Sequence, residues 1–241
     1  MSKEAIKPSF RRFILVLVSL LALAIWLIVN PSNYQPALVQ DESESPTEAD
    51  FLATTILEKL DVKPKATDVK YVRADFYSSW SIHENGCDMR NVILQRDLTD
   101  TVLDGCIVLS GILNDPYTGQ IIHFTRGPGT SNAVQIEHVV ALSNAWTTGA
   151  QNLDNAGRRA ISQDPLNLLA VDGPTNQSKS NKDASEWLPP NIAFRCQYVA
   201  RQISVKYKYV LWVTPAEKTA MQKVLNTCPN EPTIGLENLR S

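Results

Sequence analysis

The chain has 241 residues, of which 44% are hydrophobic and 20% charged, with a formal charge of −2 at pH 7. That length and apolar content suit one substantial buried core rather than two. From residue 51 onward there are 19 acids and 19 Lys or Arg, which excludes a broadly basic nucleic-acid-binding surface, so any such footprint must be local.

In chain order, the first feature is Phe13–Val29, 17 residues without a charge, preceded by Lys3, Lys7, Arg11 and Arg12. The pattern predicts a membrane signal whose N-terminus stays in the cytoplasm. The run exceeds the roughly 7–15-residue core of a signal peptide and reaches the lower edge of spanning length. Ala22-Leu23-Ala24 is a formal small-x-small cleavage site, but Ile25 to Val29 continue the apolar run beyond it. A retained transmembrane anchor over residues 1–30 is therefore favoured, with a cleaved signal as the alternative. Residues 31–50 hold Pro31, Pro36, Pro46 and the acids Asp41, Glu42, Glu44, Glu48 and Asp50, with no lysine or arginine. Such a segment reads as an extended tether. Residues 51–241 are left as the folded domain.

Within that domain, Ala49 to Leu60 places Leu52, Ile56, Leu57 and Leu60 at helical spacing. Arg90–Leu98 is a second candidate helix. Cys106–Leu113 and Gln120–Phe124 are rich in β-branched residues. The Asn114-Asp115-Pro116-Tyr117-Thr118-Gly119 stretch between them has turn chemistry, so the pair predicts a hairpin. Ala133–Val140 predicts another strand, and Ser143–Ala150 and Asn155–Ser162 two helical pieces. Leu166–Val171 predicts a strand, and Gly173-Pro174 opens a helix running to about Ser178, with proline at an early helical position. Asn191–Trp212 and Pro215–Leu225 read as two C-terminal helices. The fold class expected is α+β.

The four cysteines, Cys87, Cys106, Cys196 and Cys228, all lie beyond the apolar run. An even number in an exported segment suggests two disulfides. Three pairings are possible, and Cys87–Cys106 with Cys196–Cys228, the pairs nearest in sequence, is favoured. A zinc site is the alternative, but no CxxC spacing supports it.

Glu137-His138 in an apolar run, Asn167 in a second apolar run, and Asn176 nine positions later suit a one-metal phosphodiesterase. A carboxylate and an amide oxygen hold a hard divalent cation. A neutral imidazole takes a proton from water near neutral pH. Strand neighbours point to opposite faces, so Glu137 and His138 must lie where the strand ends or twists. Each residue alone has a structural reading: a core histidine, a strand-end acid, a buried amide, a helix-surface amide.

In these motifs the chain resembles the HNH (ββα-metal) endonucleases. It is most similar to an extracytoplasmic bacterial branch related to the C-terminal domain of the GmrSD restriction endonucleases. The resemblance extends through Gly86-Cys87-Asp88-Met89-Arg90-Asn91, Arg96-Asp97-Leu98, Asp115-Pro116-Tyr117-Thr118-Gly119, Asn176 to Asp183 and Trp187-Leu188-Pro189-Pro190-Asn191. It departs at Glu137, where relatives often have Asp, and at Met89, where they often have Thr. The resemblance implies a ββα-metal core with an added β-hairpin and C-terminal helices. His138 would be the general base and Asn167 the residue orienting it. Glu137 and Asn176 would ligate one divalent metal, Mg²⁺ ahead of Mn²⁺. Arg90 is a candidate for the scissile phosphate, with pairing to a nearby acid as its structural alternative; Lys179 and Lys182 are candidates for further phosphate contacts. His83 and His123 have no motif around them; Arg195, Arg201, Lys206 and Lys208 could track a nucleic-acid backbone, but a solvated helix face explains them more simply. The implied substrate is nucleic acid, DNA ahead of RNA, attacked outside the cytoplasm by an anchored or secreted enzyme; no protein partner is implied. The rival function is a non-catalytic binding module on the same scaffold.

Overall fold

The computed structural model describes residues 20–21, 25–26, 47–68, 70–77 and 79–236. The chain divides into two compact units, Met1–Ser45 and Pro46–Ser241. Of the first, Leu20, Leu21, Ile25 and Trp26 are described as helical and exposed. The rest of the apolar run and most of the acidic tether lie outside the described residues. Among the described residues no helix is long and apolar enough to cross a membrane.

The second unit mixes helices with two small sheets and is α+β. A 3₁₀ turn, Glu48–Phe51, leads into α1 (Ala53–Lys59), so the first predicted helix is broken at Leu52, which has extended backbone. Helix α2 (Met89–Asp97) starts where Asp88 accepts a hydrogen bond from the Asn91 amide, an N-cap that satisfies an otherwise unpaired helix donor. It runs into β1 (Leu98–Asp104), a strand absent from the sequence expectation, which pairs antiparallel with β2 (Ile107–Asn114). β1 is mostly exposed and contains Asp100 and Asp104. Pairing with β2 defines it, and no apolar alternation announces it.

The hairpin of β2 with β3 (Ile121–Thr125) forms as its turn residues predict. Asp115 closes the turn: one carboxylate oxygen accepts from the Thr118 amide at 2.8 Å and hydroxyl at 2.5 Å. Its other oxygen accepts from the Asp172 amide at 2.9 Å and so ties the hairpin to the second sheet.

That second sheet pairs β4 (Val134–His138) antiparallel with β5 (Leu168–Asp172), in the register Val134↔Asp172 to His138↔Leu168. Helices α3 (Leu142–Thr147) and α4 (Asn155–Gln163) occupy the connection. α5 (Gly173–Lys179) follows β5 without a break. One face of the pair, with Val134, Ile136, Leu168 and Ala170, packs on α2 and the three-stranded sheet. The other face buries Leu169 and Val171 against α6 (Arg195–Lys208), α7 (Pro215–Leu225), α1 and Tyr117. With both faces covered, four of β5's five residues are buried, which is why it reads as a continuous apolar run. A third cluster joins Phe76 to α3 and α4. The α6 helix starts later than predicted because Ile192–Phe194 forms a separate 3₁₀ turn, and it ends at Lys208 rather than Trp212, before the left-handed Val210.

Cys87 is joined to Cys106, and Cys196 to Cys228. The first bond pins the turn between β1 and β2 to the loop before α2. The second ties the start of α6 to the chain beyond α7, closing a 32-residue separation. Replacing Cys196 and Cys228 together with alanine is expected to cost about 2–5 kcal/mol. Urea unfolding reads this as a lower midpoint, and an unchanged midpoint would contradict it.

Candidate metal-dependent active site

The site is built at the corner where β5 turns into α5. Gly173 stands at that corner because no other residue fits: a Cβ there would lie 2.0 Å from the Asn132 carbonyl oxygen. Asp172 caps the helix, accepting from the Thr175 amide at 2.8 Å and its hydroxyl at 2.6 Å. Docked this closely, α5 meets the face of β4 that carries Gln135 and Glu137. Asn176, which lines the cavity, donates its amide to Gln135 Oε1 at 2.9 Å, and that bond leaves its Oδ1 unused. Three residues on, Lys179 ion-pairs with the Glu137 carboxylate and donates to the His138 carbonyl at 3.3 Å.

His138 is the last residue of β4 and is buried. Its Nε2 lies 2.9 Å from the Ser162 carbonyl oxygen. A carbonyl only accepts, so Nε2 carries the proton and Nδ1 keeps its lone pair. Trp80 stacks on the ring at 6.0 Å and an interplanar angle of 13°, and Tyr77 packs at 5.8 Å. Burial disfavours the imidazolium and brings the pKa down to about 4; the Ser162 carbonyl opposes the shift, and the charges of Arg73 and Lys179 reinforce it. Burial also raises the Glu137 carboxyl, against the Lys179 charge and a hydrogen bond from the His138 backbone.

Asn167 lies one residue before β5, not within it, and is fully buried. Its Oδ1 accepts from the Val140 amide at 2.8 Å, and its Nδ2 donates to the carbonyls of Val140 and Ile161, both at 3.2 Å. Its own carbonyl accepts from the Val139 amide at 2.8 Å. One side chain thus fastens the turn after His138 to the end of α4.

Glu137, His138, Asn176, Gln135 and Arg73 line one cavity of about 450 Å³. The strand ends at His138, which resolves the opposed directions of strand neighbours. A carboxylate and an amide oxygen on a cavity with room for several waters fit a hard dication that keeps part of its hydration shell. Among the described residues, the one cluster of three His, Cys, Asp or Glu side chains close enough to chelate is Cys196, Cys228 and Glu231. Its two sulfurs are already bonded to each other.

Residues 71–224 match the family of GmrSD restriction endonucleases, C-terminal domain. The chain belongs to that family. An uncharacterized secreted protein of Arthroderma benhamiae is 36% identical over 179 residues, covering 73% of this chain and 84% of the relative. The GmrSD C-terminal domain match takes in all of β1–β5 and α2–α6, and every residue that lines the cavity.

Three sequence candidates sit differently from their expectation. Arg90 is half-buried on α2 and donates to the Val134 carbonyl at 3.2 Å, outside the cavity lining. Lys179 is fully buried against Glu137, so it is no surface phosphate contact. Lys182 is half-buried and donates to the Ser178 carbonyl at 3.1 Å, also outside the lining. The cation that faces the cavity is Arg73, which the sequence reading missed. It is exposed on a 3₁₀ turn, Arg73–Asp75, with its guanidinium 5.2 Å over the Tyr77 ring and donating to the Tyr77 hydroxyl at 2.6 Å. Among the described residues no carboxylate forms an ion pair with it. The available signal was one arginine among Tyr71, Phe76 and Tyr77.

The buried imidazole has a consequence for stability. Between pH 6.5 and about 4 the unfolded chain binds a proton at His138 and the fold does not, so stability falls as pH drops through that window. At about 1.4 kcal/mol per unit, the loss amounts to about 3 kcal/mol. Glu137 acts in the opposite sense, so the informative quantity is the difference between wild type and His138→Gln. Denaturation in chelator should show wild type losing stability relative to His138→Gln as the pH falls below 6.5; parallel pH dependences would refute it.

Proposed function

We propose that the protein is an HNH endonuclease that hydrolyses phosphodiester bonds of nucleic acid outside the cytoplasm, with DNA as the expected substrate. The observation that carries the reading is His138: its Nε2–H is committed to Ser162, which leaves Nδ1 as the acceptor of a residue that lines one cavity with Glu137 and Asn176. β4, β5 and α5 then form the ββα-metal unit, and membership of a restriction-endonuclease domain family supports the assignment. The secreted relative and the two disulfides support export.

In this reading His138 Nδ1 takes a proton from the attacking water, which the low pKa allows because the ring stays neutral at physiological pH. Arg73, which lines the same cavity, binds the phosphate, held in direction by Tyr77. Asn167 keeps the turn behind His138 rigid. Glu137 and Asn176 would hold the divalent ion, magnesium or manganese, which supplies charge stabilisation to the phosphate and the departing oxygen when bound. Water adds to phosphorus, the P–O3′ bond breaks, and the products carry 5′-phosphate and 3′-hydroxyl ends.

His138→Ala removes the proton acceptor and leaves both ligands, so cleavage should fall by about 10²–10⁴-fold at every metal concentration. Asn176→Ala removes one ligand oxygen, and raising Mg²⁺ should recover part of its activity. Arg73→Ala should raise KM more than it lowers kcat and flatten the salt dependence of binding. Near-wild-type cleavage by folded His138→Ala would overturn the mechanism. Inert wild-type protein on single- and double-stranded DNA and RNA would favour the binding-module reading.

A further inference from the structure

Lys179 is the component of this corner with no place in the hydrolytic scheme above, and it is fully buried. A lysine seldom surrenders all of its hydration, and here two acceptors compensate: the Glu137 carboxylate and the His138 carbonyl. Its position in the last turn of α5 also favours a cation, since helix carbonyls point that way. Glu137 shares its strand face with Leu169 and Val171, which offer no counter-charge. Among the described residues Lys179 is its sole ion-pair partner.

The carboxylate therefore has two claimants. One is an ammonium that the fold supplies permanently from behind. The other is a divalent ion entering from the cavity. We propose that Lys179 is a positioning residue that holds Glu137 at the cavity wall and shares its charge, so that the site binds its divalent ion weakly and exchangeably. The inference rests on the metal reading of Glu137 and Asn176. It adds that affinity is held down by a built-in cation, not by a shortage of ligands alone. The Asn176 amide, one turn earlier on the same helix, is fixed to Gln135 in the same way. α5 thus sets both ligands with respect to the same strand.

A purely structural ion pair and a charge-sharing one predict opposite effects on metal binding. Losing a structural pair loosens Glu137 and leaves affinity unchanged or lower. Losing a competing cation makes the divalent ion the only available counter-charge, and affinity rises. The probe is Mn²⁺, titrated by calorimetry at pH 8 into the full chain and into its Lys179→Met, Glu137→Gln and Asn176→Ala variants. Lys179→Met should bind Mn²⁺ at least about tenfold more tightly than wild type, equivalent to about 1.4 kcal/mol. Its thermal midpoint should depend on Mn²⁺ far more steeply. Should the variant fail to fold without metal, Mn²⁺ should restore its far-ultraviolet dichroism and a cooperative melt.

Equal or weaker Mn²⁺ binding by folded Lys179→Met, with wild-type binding that Glu137→Gln and Asn176→Ala weaken, would overturn this proposal and leave the metal reading intact. A Lys179→Met chain that stays unfolded in saturating Mn²⁺ would also overturn it. Absence of Mn²⁺ binding in wild type, unaltered by Glu137→Gln, would overturn both.

Discussion

The arrangement depends on how α5 is clasped to β4. Two side chains three apart on the helix, Asn176 and Lys179, reach two side chains two apart on the strand, Gln135 and Glu137. Helical i,i+3 positions share a face, and so do strand i,i+2 positions, so the two periodicities mesh only at close approach. Gly173 permits that approach, because any side chain there would collide with the Asn132 backbone. Asp115 then secures the other end of the corner by accepting from the Asp172 amide. Displace α5 by an ångström and Glu137 loses its counter-charge while Asn176 loses its direction. Neither effect requires a change in any residue that lines the cavity.

The second constraint is burial of a neutral imidazole. Trp80, Tyr77 and the Ser162 carbonyl fix the ring and its tautomer, and burial disfavours its protonation. The same burial makes His138 a source of acid sensitivity, which the raised Glu137 carboxyl opposes. In the proposed mechanism the burial that costs stability in acid also keeps the base unprotonated. Arg73 stands outside this dry layer, exposed and paired with phenols rather than acids, so its charge is available to an incoming anion.

Much of this was legible in the sequence because the chemistry sits in short ordered motifs. Glu137, His138, Asn167 and Asn176 stand out as polar residues in or after apolar runs, and α7 begins at Pro215 behind a capping box of Thr214 and Glu217. Other features depend on contacts that no local pattern encodes. β1 is an exposed, acid-bearing strand that exists through its pairing with β2. Lys179 reads as a solvated lysine on a polar helix, and only the placement of Glu137 opposite makes its burial tolerable. Arg73 lies more than 60 positions before the motif and reaches the cavity through tertiary packing alone. Arg90 looks like a site residue because it follows a cysteine motif, yet α2 turns it toward the backbone of β4.

In the proposed site Glu137 and Asn176, set by the clasp, hold one divalent ion beside His138. Anomalous diffraction from crystals soaked in Mn²⁺ tests it most directly. A single strong peak is expected in the cavity, about 2.0–2.3 Å from a Glu137 carboxylate oxygen and from Asn176 Oδ1, with waters filling the remaining positions. A strong peak elsewhere, with Glu137 still bound to Lys179 and Asn176 turned away, would contradict it.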